Sequence, residues 1–136
     1  MSQPLPSPAL EDSSAFVQST GLQITAATPT LVAGWIELGP EHHTPWGIVH
    51  GGVYTSAVET AASIGASVAA SEHGQIAVGV NNNTNFVRSM QPGRVEVVAQ
   101  PLQQGRTQQL WDVRVTHRDR LIASGQVRLQ NVDPRS

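Results

Sequence analysis

The chain has 136 residues, no cysteine and a formal net charge of −2, with 8 basic against 10 acidic residues. This length suits one domain with a modest hydrophobic core, and the lack of cysteine excludes disulfides, thiolate metal sites and a cysteine nucleophile. The balanced charge argues against a nucleic-acid-binding surface, which needs clustered positive charge. All basic residues are arginine, so Schiff-base chemistry on lysine is excluded as well.

The sequence carries no signal for export or membrane insertion. Its first residues do not form a basic segment followed by an apolar one, and no apolar run approaches the roughly 20 residues that span a bilayer. We therefore expect a cytoplasmic protein with no membrane partner. Residues 1–13 hold three prolines, which predicts a flexible leader, followed by one domain over 14–131 and a tail over 132–136.

Polar turns divide the chain into a short helix, two strands, a long helix and four further strands. Ser13 or Ser14 is suited to cap the first helix. The small and apolar residues after Gly51-Gly52 predict the long helix, and alternating β-branched residues predict the strands. The predicted ranges are helix 15–18, strands 22–26 and 31–38, helix 51–71, and strands 76–87, 94–103, 107–117 and 121–129.

These elements predict an α+β fold in which one long helix packs against an antiparallel sheet. A helix of about 20 residues is roughly 30 Å long, and five or six twisted strands can curl around it. We expect the last four strands to form a meander. The run Asn81 to Asn85 interrupts its strand with polar residues, which indicates a bulge or a polar edge.

The long helix carries one polar stripe among small and apolar residues. Thr55, Glu59, Ser63 and Ser67 are spaced four residues apart, so they share one face. The stripe either faces solvent or a partner subunit, or it is used in chemistry. It lacks the mixture of Lys, Arg and Glu that is typical of a solvated face. Glu59 is therefore a candidate nucleophile or general base.

The helix opens on Gly51-Gly52, which offers unobstructed backbone N–H groups to an anion or an oxyanion. Glycines at such a point can also serve close packing alone. Gly51 and Glu59 lie eight residues apart, about 12 Å along a helix, so one chain cannot present both to one carbonyl. If both act on the same group, the site lies across a homodimer interface and uses two copies of the chain.

The segment Trp46-Gly47-Ile48-Val49-His50-Gly51-Gly52, with Glu59 nine residues after the histidine, resembles the hotdog-fold acyl-CoA thioesterases. The resemblance is to the PaaI-like branch, which includes enzymes for 4-hydroxybenzoyl-CoA and 1,4-dihydroxy-2-naphthoyl-CoA. It covers roughly residues 20–130. It implies a hotdog fold, hydrolysis of a small aryl- or medium-chain acyl-CoA, a homodimer with shared sites and further assembly into a homotetramer.

The resemblance also implies catalytic roles. Glu59 would attack the thioester or activate water, and the Gly51 amide would polarise the carbonyl. His50 would hold the loop or lie near the leaving thiolate, and Ser63 would position water or the carboxylate. Six residues before the histidine, related enzymes carry Gln or Asn, whereas this chain has Thr44. The neighbouring His43 is a possible substitute.

Coenzyme A enters only as part of the substrate, and no other cofactor is expected. Its candidate binding residues are Arg88, Arg106, Asn81, Asn82, Asn83 and Gly52. Arginine suits phosphates because it forms forked contacts, although these arginines could equally protect strand edges from aggregation, and the asparagines could lie at a subunit interface. No histidine spacing typical of zinc is present, so no metal is expected. The alternatives are an enoyl-CoA hydratase, which normally pairs Asp with His, and a non-catalytic acyl-CoA-binding module.

Overall fold

The computed structural model describes Leu10 and residues 13–134, so the predicted leader lies outside the described residues apart from Leu10 and Ser13. Ser14 caps the first helix by accepting a hydrogen bond from the Val17 N–H at 3.4 Å. The elements are α1 (Ala15–Ser19), β1 (Gln23–Thr28), β2 (Leu31–Leu38), a 3-10 turn (Pro40–His42), α2 (Gly51–Ser71), β3 (Ile76–Phe86), β4 (Gly93–Gln104), β5 (Gln108–His117) and β6 (Arg120–Val132). The predicted helices and strands are therefore confirmed, with small shifts at their ends.

The six strands form one antiparallel sheet in the order β1-β2-β4-β5-β6-β3. The prediction that the last four strands form a meander is wrong for β3. Of these four strands, β4, β5 and β6 pair in chain order, whereas β3 does not pair with β4. β3 lies at the far edge beside β6, and the chain then crosses the sheet end to reach β4. The Val87 and Arg88 N–H groups hold this crossing by donating to the Ile122 carbonyl at 2.8 and 3.1 Å.

Helix α2 packs across the sheet and contacts all six strands. No residue of α2 is exposed, and its fully buried side is made of small residues around Val58 and Tyr54. Alternate residues of the central strands, including Val113 and Trp111, are buried beneath it. Burial of this apolar face is the main source of stability, because a lone helix of this composition is marginal in water. The predicted α+β architecture is confirmed.

β3 combines a bulge with an unpaired edge. It pairs with β6 on one side, and the register shifts between Gly79 and Asn81, so Val80 is the extra residue. Along its other side, β3 has no partner strand among the described residues. The polar run therefore marks an edge strand with a bulge, as the sequence indicated. No helix in the described part of the chain is long and apolar enough to cross a membrane.

Candidate active site

Glu59 lies in the middle of α2, where its carboxylate reaches β3. Its Oε1 accepts a hydrogen bond from the Asn82 side-chain amide at 3.0 Å. Its Oε2 lies 3.4 Å from the Ser63 hydroxyl, one helical turn further on. The polar stripe of α2 is thus partly used within the chain, and Glu59 is held by neutral donors rather than by a basic side chain.

Gly79 gives the Glu59 carboxylate room at the bulge of β3. A Cβ atom built on Gly79 would collide with Glu59 Oε2. Any other residue at this position would push the Glu59 carboxylate aside, because a Cβ atom there overlaps Oε2 at the end of that flexible side chain. The bulge and Gly79 together let the carboxylate approach the open edge of the sheet.

The N-terminus of α2 presents one free amide. The His50 Nδ1 caps the helix by accepting from the Gly52 N–H at 2.8 Å, and the Val53 N–H donates to the His50 carbonyl at 3.0 Å. The Gly51 N–H has no hydrogen-bond partner among the described residues. It is therefore available to an anion or an oxyanion at the positive end of the helix. The Gly52 amide is occupied by the cap.

A cavity of about 280 Å³ opens beside Gly51. A Cβ atom on Gly51 would lie 2.5 Å from the Phe86 ring, so any larger residue at this helix start requires the ring to move. The Tyr54 hydroxyl is buried with no hydrogen-bond partner in the described part of the chain, and burial raises the pKa of Tyr54 to about 12. Thr44 also borders the cavity, and its hydroxyl accepts from the Trp46 N–H at 3.2 Å. The cavity lining is apolar except for a few polar groups, which is typical of a small-molecule site.

The loop before α2 contains two histidines with different surroundings. The buried His42 accepts from the Gly39 N–H at 3.1 Å and contacts the Ser19 carbonyl at 3.1 Å, so it ties α1 to this loop. The His43 Nε2 is buried without a partner among the residues that the structure describes, and it lies beside a groove that also reaches His50. Among the described residues, no three His, Asp or Glu side chains converge as metal ligands.

Comparison with known proteins decides the family. The model of the thioesterase superfamily matches residues 47–124, which include the helix start, Glu59 and most of the sheet. A Mycobacterium tuberculosis protein named "putative esterase" is 45% identical over 123 residues, covering 88% of each chain. The chain belongs to the thioesterase superfamily.

Further relatives agree with this assignment. The 1,4-dihydroxy-2-naphthoyl-CoA hydrolase of Listeria monocytogenes is 31% identical over 99 residues, covering 73% of this chain and 80% of that protein. The solved structure of the same M. tuberculosis esterase superposes with a TM-score of 0.86 at 44% identity, covering 90% of this chain and all of that one. The resemblance to hotdog-fold thioesterases is confirmed, and so are the hotdog fold and the activity class, thioester hydrolysis.

Within this thioesterase, the predicted site residues fall into two groups along α2. Gly51, His50 and Thr44 lie at its N-terminus, and Arg88 borders the same cavity. Glu59 and Ser63 lie two to three turns further on, beside Asn82. Gly51 and Glu59 lie on one continuous helix, α2 (Gly51–Ser71), so the separation of about 12 Å expected along a helix applies to them.

The predicted coenzyme A residues are not brought together within one chain. Arg106 lies in the β4–β5 turn near the C-terminus of α2, roughly a helix length of 30 Å from Arg88. Asn81 and Asn83 are exposed on β3. The Asn82 side chain instead faces the helix and binds Glu59. The roles of these residues toward coenzyme A stay predictions.

Three residues that border the candidate site were not among those predicted from the sequence. Gly79 interrupts a strand, which is a recognised signal for a bulge or a close approach of backbone. Phe86 covers Gly51 although it is 57% exposed, and Tyr54 is 3% exposed with an unpaired hydroxyl. No local pattern distinguishes these two aromatics from core residues, because their role depends on the pairing of β3 at the far edge of the sheet.

Proposed function

We propose that this thioesterase hydrolyses a small aryl- or medium-chain acyl-CoA to the free acid and coenzyme A, with Glu59 as the catalytic carboxylate. The observation that carries the proposal is the Glu59 carboxylate, which α2 holds against the bulged, open edge of β3 with neutral donors only. The cavity of about 280 Å³ beside Gly51 is slightly smaller than typical drug-sized sites, which suits an aromatic ring or a short chain.

The reaction follows one of two balanced routes. As a general base, Glu59 takes a proton from water while the water oxygen bonds to the thioester carbonyl carbon. The carbon–sulfur bond then breaks, and the thiolate receives that proton. As a nucleophile, Glu59 bonds to the carbonyl carbon and expels the thiolate, and water hydrolyses the resulting anhydride. In both routes the Gly51 N–H donates to the carbonyl oxygen as negative charge develops on it.

The Gly51 donor comes from a second copy of the chain. The distance between Gly51 and Glu59 prevents one chain from serving one carbonyl with both. The open edge of β3 supports this assembly, because Val78 and Val80 there are 45% and 57% exposed. An open strand edge with exposed apolar side chains is a template for pairing with another strand. Antiparallel pairing of two β3 strands would give a two-fold dimer with two shared sites. Assembly of such dimers into a tetramer is part of the same proposal.

The test is free-thiol release from a panel of aryl- and fatty-acyl-CoA esters. The chain has no cysteine, so a thiol reagent reads only released coenzyme A. Glu59→Gln should lower kcat by about 1,000-fold or more while the oligomer stays folded, because loss of a nucleophile or base removes the chemical step. Glu72→Gln, which changes the acid at the C-terminal end of the same helix, should leave kcat unchanged.

Each alternative has its own outcome in this assay. Unchanged thiol release by Glu59→Gln would contradict the proposed role of Glu59. Hydration of an enoyl-CoA without thiol release would favour a hydratase. Binding of the esters without turnover of any kind would favour an acyl-CoA-binding module.

A further inference from the structure

The hydrogen bonds around Glu59 give its two carboxylate oxygens different surroundings. Oε1 accepts a 3.0 Å hydrogen bond from Asn82 Nδ2. Among the described residues, Oε2 has only the Ser63 hydroxyl at 3.4 Å, and it lies against Gly79, where a side chain would collide with it. One oxygen is therefore anchored by a close hydrogen bond, and the other is held less firmly.

The orientation of the Asn82 amide is fixed by its partners. Nδ2 also donates to the Thr55 carbonyl at 3.2 Å, so its two hydrogens serve two acceptors on α2. A backbone carbonyl can only accept, so the nitrogen and not the oxygen of the amide must face the helix. The opposite atom, Oδ1, accepts from the Thr84 hydroxyl at 2.7 Å. Thr84 lies two residues after Asn82, so both side chains lie on the same face of β3 and can contact each other.

We propose that Asn82 is a positioning residue: it holds Oε1 of Glu59 and thereby leaves Oε2 as the oxygen that reacts. Thr84 acts one step further out by fixing the Asn82 amide. This inference rests on the proposed hydrolysis by Glu59. It assigns Asn82 a role in orienting the carboxylate, in place of the contact with coenzyme A that the sequence suggested.

The physical reason is preorganisation. A glutamate side chain has three rotatable bonds, and an unrestrained carboxylate would rarely meet the reacting atom in the correct geometry. Asn82 is bound to the carboxylate and to the backbone of the same helix, so the carboxylate keeps its place relative to α2. Such supporting contacts act on the chemical step more than on substrate binding.

The test compares Asn82→Leu, of nearly the same size, with the wild-type protein in the thiol-release assay. We expect kcat to fall about 10- to 100-fold, the usual effect of losing a hydrogen bond to a charged group, with KM within about 2-fold. Gln100→Leu also replaces an amide by leucine, at an exposed position of β4 away from the proposed β3 pairing, and should leave both constants unchanged. Circular dichroism and size-exclusion chromatography check that each variant is folded.

A double variant separates positioning from a general structural effect. If Asn82 acts through Glu59, then Asn82→Leu should lower the residual rate of Glu59→Gln by less than about 2-fold, because there is no carboxylate left to hold. A further 10-fold loss in that background would overturn the inference. KM increased 10-fold with kcat unchanged in Asn82→Leu would also overturn it, in favour of direct substrate binding.

Thr84 provides a second, milder test. Thr84→Val keeps the shape and removes the hydroxyl, so kcat should fall about 3- to 10-fold, whereas Thr84→Ser should restore most of it. Equal rates for all three proteins would remove Thr84 from the proposal. If the wild-type protein releases no thiol from any ester, the proposed function fails and this inference with it. If Glu59→Gln is inactive but Asn82→Leu is fully active, only this inference fails.

Discussion

The two ends of helix α2 are built in opposite ways. Near its C-terminus, Gln109 is 2% exposed and every hydrogen-bonding position of its amide is filled. It donates to the Ala66 carbonyl and Asn131, at 3.0 and 2.9 Å, and accepts from Trp111 and Gln104, at 2.8 and 3.2 Å. Near the N-terminus, the Tyr54 hydroxyl and the His43 Nε2 are buried without a partner within Leu10 and residues 13–134.

This difference separates stability from function. A buried polar group that is fully paired fixes the packing around it, whereas an unpaired one costs free energy unless something else binds it. The free Gly51 amide and the exposed Phe86 lie at the same end as the unpaired groups. We interpret the C-terminal end of α2 as the part that stabilises the fold and the N-terminal end as the part that a second copy and the substrate complete.

The largest expected effect comes from breaking the assembly at the open edge. Val80→Glu places a charge on the bulge of β3, at the edge where the second copy is proposed to pair, and burying an unpaired charge there opposes association. We expect monomers in analytical ultracentrifugation and a loss of at least about 100-fold in kcat/KM, because each Glu59 loses its oxyanion donor.

Leu102 provides the matched control for this edge variant. It lies on β4 and is 57% exposed, as Val80 is. Leu102→Glu should therefore leave both the β3-paired dimer and its activity unchanged. A fully active monomer of Val80→Glu would contradict the shared site, since Gly51 and Glu59 of one chain would then suffice.

The next effect tests the C-terminal end. Gln109→Leu removes the acceptor of the buried Trp111 Nε1–H and the donor to the Ala66 carbonyl, so the free energy of unfolding should fall by about 2–4 kcal/mol. Denaturant unfolding at one protein concentration measures it, with an unchanged m-value. The folded variant should keep the wild-type kcat, because Gln109 bonds none of the reacting groups: Glu59 lies in the middle of α2 and Gly51 at its N-terminus.

Gln108→Leu is the control for this comparison. Gln108 is half-buried and bonds only the Gln130 and Arg128 side chains of the neighbouring strand, at 3.0 Å each. These partners can turn to water, so we expect a loss of less than about 1 kcal/mol. Similar losses for Gln108→Leu and Gln109→Leu would mean that the buried hydrogen bonds of Gln109 stabilise the fold no more than the half-buried ones of Gln108.

Local patterns were sufficient to predict α2 and β2, which have the predicted bounds 51–71 and 31–38. The helical pattern also identified Glu59, because it is the one acidic residue within 51–71 and its neighbours are small or apolar. The position of β3 was not predictable, since a strand's neighbours depend on long-range pairing rather than on its own residues. The link between Asn82 and Glu59 was missed for the same reason: a run of asparagines does not reveal which one faces the helix.

The smallest effect concerns Tyr54, the single tyrosine of a chain that also lacks lysine and cysteine. Burial raises its pKa from 10.0 to about 12, so the unfolded chain releases this proton first. The stabilising effect of the neutral form is complete below pH 10 and is lost as the pH rises to about 12. Arginine keeps its charge in this range, so Tyr54 is the only side chain that titrates there. Tyrosinate absorbance should therefore show a midpoint near 12 in the native protein and near 10 after denaturation.

Tyr54→Phe sharpens this last test, because it removes the unpaired hydroxyl and keeps the ring that packs against Phe86 at a centroid distance of 6.2 Å. At neutral pH the free energy of unfolding should rise by about 1 kcal/mol or less, the opposite sign to Gln109→Leu. A loss of more than about 1 kcal/mol would instead mean that the second copy satisfies the hydroxyl in the assembled protein. Unchanged stability together with an altered preference among aryl-CoA esters would mean that the Tyr54 hydroxyl binds the acyl group of the substrate. An unpaired polar group in a binding site discriminates between ligands that can and cannot form a hydrogen bond with it.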